Sequence, residues 1–173
     1  MPAFELQFPV DAVAEYAARA TWNDNPAALA MGRAAGKRGY YTRDEFKAIC
    51  LWKTQRVRRR LEENTRDAVE SATRIALSTT DERERMAALL GLAGVSWGRA
   101  STLLHLARPD DFPILDRRAV HALGQPWPAS VSFGFWWGFV EAWRDARLRS
   151  GLPGREFDRG LWQWSSEQGV QLY

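Results

Sequence analysis

The chain has 173 residues, 46% hydrophobic, 12% aromatic and 26% charged, a composition that suits one folded globular domain and excludes a disordered chain. With only Cys50, an internal disulfide, a thiolate zinc site and an iron–sulfur cluster are excluded, and two histidines, His105 and His121, are too few for a dedicated metal cage; no metal and no cofactor are expected. No apolar run approaches the roughly 20 residues of a membrane span, no signal-peptide pattern stands at the start, and the formal charge of +3 gives no strong whole-molecule field, so the expected location is the cytoplasm.

Between Pro9 and Trp22, Val10, Val13, Ala14 and Ala17 recur at helical spacing, and Asn23-Asp24-Asn25-Pro26 ends that helix before a second, Ala-rich one that stops at Gly36 to Gly39. Thr42 with Glu45 three residues on is a capping box, which predicts a long helix running to about Asn64. Two more helices are predicted over Thr65 to Leu77 and Asp81 to Leu92, with Thr79-Thr80 as the break. A glycine-bearing turn precedes a helix from Arg99 to Arg108, which Pro109 stops. Asp110 to Leu115 then reads as an extended connector, and Asp116 stands where an N-cap belongs before Arg117 to Leu123. Past Pro126 and Pro128, two helices are predicted at about Ala129 to Arg149 and Arg155 to Gln168. No strand pattern or repeat is present, so the fold class is all-α: a bundle-like array of eight to ten helices in one domain spanning residues 1–173.

The long third helix places Phe46, Ile49, Cys50, Val57 and Leu61 on one apolar stripe with Lys53 near its centre, at about 100° per residue. A lysine there either meets an acid, lines a pocket that admits substrate, or snorkels its charge to water. Lys53, Arg56, Arg58, Arg59 and Arg60 also follow one another with no acid between them, a basic run that is either a solvated face or a set of phosphate contacts. Nine tryptophans are many for this length, and most, including Trp143, Trp162 and Trp164, are expected in the core.

The turn Gly94-Val95-Ser96-Trp97-Gly98 between two helices would present several unpaired backbone N–H groups at one point, next to the positive end of a helix dipole. Such a turn binds anions, and glycine lets a phosphate strand approach closely. The string Leu90-Gly91-Leu92-Ala93-Gly94-Val95-Ser96-Trp97-Gly98-Arg99-Ala100-Ser101, followed by Phe112-Pro113-Ile114-Leu115-Asp116, resembles the helix-hairpin-helix DNA glycosylase superfamily, which includes endonuclease III, adenine DNA glycosylase and 8-oxoguanine glycosylase. The close resemblance covers about Leu89 to Leu123, with the helix-hairpin-helix at about 83–108.

That resemblance implies double-stranded DNA with a lesion or modified base as partner, gripped through Gly94, Val95, Ser96, Gly98 and Arg99, with further phosphate contacts from Arg56, Arg117 and Arg118. It implies Asp116 as the catalytic carboxylate; independently of it, if the pocket reading of the third helix holds, Lys53 is a second catalytic residue that contacts the extruded base, pairs with Asp116 or supplies a nucleophilic amine. Trp52, beside Lys53, and Trp97, within the hairpin, are the candidates for the wall of a base pocket. Ser96 departs from the family's second hairpin glycine, and Gly98 stands at the position of the Schiff-base lysine of bifunctional members, eighteen residues before Asp116. The expected activity is therefore monofunctional excision: base extrusion and hydrolysis of the N-glycosidic bond in a nucleoid-associated protein, if the source is bacterial. A non-catalytic helix-hairpin-helix DNA-binding protein, or a glycosylase-fold enzyme acting on modified phage DNA or RNA, are the alternatives; neither a membrane nor an obligate protein partner is implied.

Overall fold

The computed structural model describes residues 3–53 and 55–170, with Lys53 described through its backbone alone. Among these the chain forms ten α-helices and two short 3-10 turns and no β-strand: α1 Val13–Ala18, α2 Pro26–Arg38, α3 Arg43–Lys53, α4 Arg58–Glu62, α5 Arg66–Ser78, α6 Glu82–Leu90, α7 Trp97–Ala107, α8 Arg117–Ala122, α9 Phe133–Ser150 and α10 Gly154–Glu167. None of these helices is long and apolar enough to cross a membrane. The all-α expectation holds, and the helices group into two compact units: one takes the described residues up to Asn23 together with those from Pro109 onward, the other is Asp24–Arg108.

In the central unit, local chemistry sets the helix starts. Asn25 caps α2 by accepting from the Ala27 and Ala28 N–H groups at 3.0 and 3.2 Å. The capping box closes in both directions, with Thr42 N donating to Glu45 Oε2 at 2.9 Å and Glu45 N to Thr42 Oγ1 at 3.3 Å. Asp81 caps α6 through Oδ1, which accepts from Arg83 N at 2.8 Å. Helices α2 and α7 approach until no side chain fits between them: a Cβ on Gly32 or Gly36 would sit 2.3 or 2.4 Å from the carbonyl oxygens of Leu106 and Ala107. The fully buried Tyr41 then ties α7 in place by donating from its hydroxyl to the Leu103 carbonyl at 2.6 Å.

The predicted helix from Thr42 to Asn64 is not continuous. It ends at Lys53, and the chain passes through a 3-10 turn at Gln55–Val57 into the short α4. Arg56, Arg59 and Arg60 would face one another at i,i+3 and i,i+4 on an unbroken helix, where like charges oppose it. The redirected chain instead buries Leu61 completely, with its Cδ2 lying 3.2 Å from the position a Cβ on Gly94 would take. Val57 and Leu61 are therefore not on the helix that carries Lys53, and the stripe that placed Lys53 at its centre does not exist beyond Phe46, Ile49 and Cys50.

In the other unit, α9 supplies the core. Trp136, Phe139 and Trp143 are fully buried, each such burial contributing roughly 1.5–3 kcal/mol, and Trp143 meets Phe157 of α10 edge to face at 5.5 Å. Trp162 and Trp164 are only half-buried, contrary to the core assignment: Trp162 packs against Trp22 and under the Arg118 guanidinium, and Trp164 stacks on Phe8 and His121. The N-terminal segment lies along α8: Glu5 N donates to Leu123 O at 2.9 Å and Gln7 N to Ala122 O at 3.0 Å, satisfying carbonyls that a helix end leaves without partners.

Candidate functional site

The hairpin lies between α6 and α7 and is tighter at its exit than the sequence suggests. Helix α7 starts at Trp97, two residues before the expected Arg99, because Ser96 is extended (φ −102°, ψ 170°) and its carbonyl already accepts from Ala100 N at 2.8 Å. The turn is thus Gly91 to Ser96, and Trp97, Gly98 and Arg99 are the first residues of the helix. Gly94 reverses the chain at φ +80°, a conformation that costs other residues roughly 1–2 kcal/mol. Ser96 gives no side-chain cap, so the leading N–H groups of α7 have no serine oxygen over them. Its Oγ instead accepts from Arg99 Nη1 at 3.2 Å, and the same nitrogen reaches Gly94 O at 3.2 Å. Arg99 clasps the turn from inside with the group that was expected to reach for phosphate.

A second clasp comes from a residue the sequence did not single out. Asn64, 6% exposed, donates through Nδ2 to Leu61 O at 3.1 Å and Ala93 O at 2.9 Å, and accepts from Ala93 N at 2.8 Å through Oδ1. Its own carbonyl accepts from Arg43 Nε at 2.7 Å. One amide side chain therefore fixes the end of α4 to the hairpin and leaves Arg58, Arg59 and Arg60 exposed beside it; Arg60 Cβ lies 3.2 Å from the Cβ position of Gly94. Arg56 is exposed on the preceding 3-10 turn, and Trp52 is 38% exposed near the end of α3. Trp97 is half-buried at the start of α7. The side chain of Lys53, the proposed second catalytic residue, lies outside the described residues.

Cys50 is 1% exposed and burial pushes its thiol up to about 12, so it is no nucleophile. Glu62 is held below the ordinary carboxylate range first by its hydrogen bond to Lys47 and then by Arg43, which absorbs two cations of the central unit in an ion pair network.

Asp116 belongs to the other unit. It has extended backbone (φ −139°, ψ 167°) and is half-buried, and Oδ1 accepts from Ala119 N at 2.8 Å, the N-cap of α8 that its position implied. Arg117 opens α8 with its guanidinium 5.1 Å from the centre of the Trp127 ring, and Arg118 lies 5.0 Å over Trp162 with Nε and Nη1 buried. Arg118 is thus packed as a flat cation on an indole, with less of it reaching outward than the sequence reading assumed. His121 Nδ1 is hydrogen-bonded to Ser165 Oγ at 2.9 Å, and His105 is fully buried on α7.

No family model, curated protein or solved structure matches the chain. Among the described residues, no three His, Cys, Asp or Glu side chains gather where they would hold a metal ion. The clasped hairpin with its arginine-bearing flank belongs to the unit Asp24–Arg108, and the Asp116 cap with its neighbouring arginines belongs to the other. Asn64 escaped the sequence reading because its partner Ala93 is 29 residues away, and an asparagine beside a helix start looks like ordinary cap chemistry.

Proposed function

We propose that this chain is a monofunctional DNA glycosylase, which extrudes a damaged or modified base from the duplex and hydrolyses its N-glycosidic bond. The observation that carries the reading is the hairpin at Gly94: a left-handed glycine, a helix start without a side-chain cap, and exposed Arg58, Arg59 and Arg60 alongside. A phosphate there gains from backbone N–H groups and the helix dipole, contacts that hold a duplex without reading its sequence. Neighbouring arginines add attraction that falls with salt.

In this reading Asp116 acts on the sugar. As the C1′–N bond lengthens, positive charge develops on the deoxyribose ring and the carboxylate stabilises it. Water then adds to C1′, losing a proton, and the base leaves protonated at the former glycosidic nitrogen. Gly98 lies in the first turn of α7 and offers no amine, which is why strand cleavage by Schiff-base chemistry is not part of the proposal. The test is base release from duplexes each carrying one modified base, by wild type and Asp116→Asn, with alkali to reveal abasic sites. Asparagine keeps an oxygen for the Ala119 N–H and removes the charge. Release that needs Asp116 and breaks strands only after alkali supports the reading. Strand breaks without alkali overturn the monofunctional assignment. Hairpin-dependent binding with no release from any duplex replaces it with a non-catalytic DNA-binding role.

A further inference from the structure

In the unit that joins the chain ends, α8, the N-terminal segment and α10 surround a cavity of about 560 Å³, within the roughly 300–1,000 Å³ of small-molecule sites. It is lined by Gln7, Arg117, His121, Gln125, Trp127 and Trp164, together with Gly124, Pro126 and Val170. None of the chemistry assigned to Asp116 or to the hairpin uses its aromatic or amide groups.

Each polar group in the wall has a defined preference. Gln7 Nε2 donates to Glu5 O at 2.7 Å and Gln125 Nε2 to Ala3 O at 2.5 Å. Because an NH₂ must face a carbonyl, these bonds fix both amides and leave the two Oε1 atoms as acceptors. Arg117 has no carboxylate partner among the described residues and lies over Trp127, a cation whose charge is not consumed by an ion pair. Trp164 is stacked between Phe8, at 4.8 Å and 11°, and His121, at 5.3 Å and 25°. Trp127 touches no other aromatic ring among the described residues and remains the indole against which a ligand ring can stack. His121 is held below its ordinary range, first by burial and then by Arg118, so it is neutral near pH 7 and adds no second charge.

A ligand that answers all of these groups is flat and aromatic, carries N–H donors on its edge, and bears one anionic group. We propose that this cavity binds a nucleotide, with the base stacked on Trp127, its exocyclic amino group donating to the amide oxygens of Gln7 and Gln125, and its phosphate on Arg117. The inference uses neither Asp116 nor the hairpin, and of the residues assigned to DNA it draws on Arg117 alone. The nucleotide is either free in solution or the end of a single strand, and the two share the same chemistry.

The full chain is titrated with AMP, CMP, GMP and UMP, with adenosine and with inorganic phosphate, followed by the indole N–H signals in two-dimensional NMR; the Trp127 signal is assigned by its loss in Trp127→Leu. AMP or CMP is expected to bind and shift the Trp127 signal, with affinity about tenfold weaker in Trp127→Leu and in Arg117→Gln. Adenosine and phosphate are each expected to bind at least tenfold more weakly than AMP. A 5′-phosphorylated dinucleotide that binds tighter than AMP with the same dependence on Trp127 identifies a strand end as the ligand, and equal affinity identifies the free nucleotide. The inference is overturned if no nucleotide shifts the Trp127 signal, if phosphate binds as tightly as AMP, or if both variants, with wild-type circular dichroism, bind AMP as the wild type does.

Discussion

Removing the Asn64 side chain isolates the energetics of the hairpin. In Asn64→Ala, the three side-chain hydrogen bonds at 2.8, 2.9 and 3.1 Å disappear, and Ala93 loses the partners of both its N–H and its C=O. Each polar group left unsatisfied in the interior costs about 1–3 kcal/mol. Ala93 is only half-buried, so water recovers part of this, and the expected loss is about 2–3 kcal/mol. For a chain of this length that corresponds to a fall in Tm of about 4–12 °C. Urea unfolding by circular dichroism measures the loss, and hydrogen exchange at Ala93 localises it: the amide should exchange faster while amides in the middle of α5 are protected as before. Asn64→Asp sharpens the test, since it keeps the acceptor for Ala93 N but points a carboxylate oxygen at the carbonyls of Leu61 and Ala93. It should be at least as unstable as the alanine variant at pH 7. The reasoning fails if Asn64→Ala changes stability by less than about 0.5 kcal/mol, the range of ordinary surface substitutions, with Ala93 protection unchanged.

Two further outcomes follow from the same structure. Gly94→Ala puts a side chain on a residue at φ +80° with Arg60 Cβ and Leu61 Cδ2 each 3.2 Å from the new carbon, so it should cost about 1–2 kcal/mol in denaturant unfolding and lower duplex affinity in a salt-dependent binding assay; wild-type affinity in this variant would separate the hairpin from DNA. The His121 ring should titrate by NMR below 6.5, because burial and Arg118 disfavour its charged form. Between that midpoint and 6.5 the unfolded chain binds the extra proton, so this residue's contribution to stability is fully present above about pH 6.5 and is lost as pH falls through the folded-state midpoint. A midpoint at or above 6.5 contradicts this.

The parts of the fold legible in the sequence were those decided within four residues. The Thr42 and Glu45 pair and Asp116 cap helices where their positions implied, and Asn25 and Asp81, read only as a break and a helix start, prove to be caps as well, since capping depends on a side chain and the N–H groups just after it. Continuity was harder. The apolar spacing from Phe46 to Leu61 fits one helix, and only the packing of Leu61 under Gly94 shows that α4 departs from it. The candidate site followed the same division. The glycine of the turn and the aspartate cap were readable as local chemistry, whereas the use of Arg99 as a clasp and of Arg118 as a cover for Trp162 depends on surroundings supplied by other helices. Trp127 and Gln7 were not singled out, because the cavity they share is assembled from segments over a hundred residues apart.

The hydrogen bonds from Glu5 and Gln7 to Leu123 and Ala122 also impose an order on biosynthesis. A ribosome releases the first segment of that unit long before the helix it must cap, while everything in Asp24–Arg108 emerges in one uninterrupted stretch. At about 5–20 residues per second, the leading segment waits several seconds for its partners. Over that interval the segment's N–H groups are served by water and its Phe4 and Phe8 rings lack the aromatic neighbours they later stack against. The unit Asp24–Arg108 is complete before α8 has been made, so its packing need not wait for the later helices.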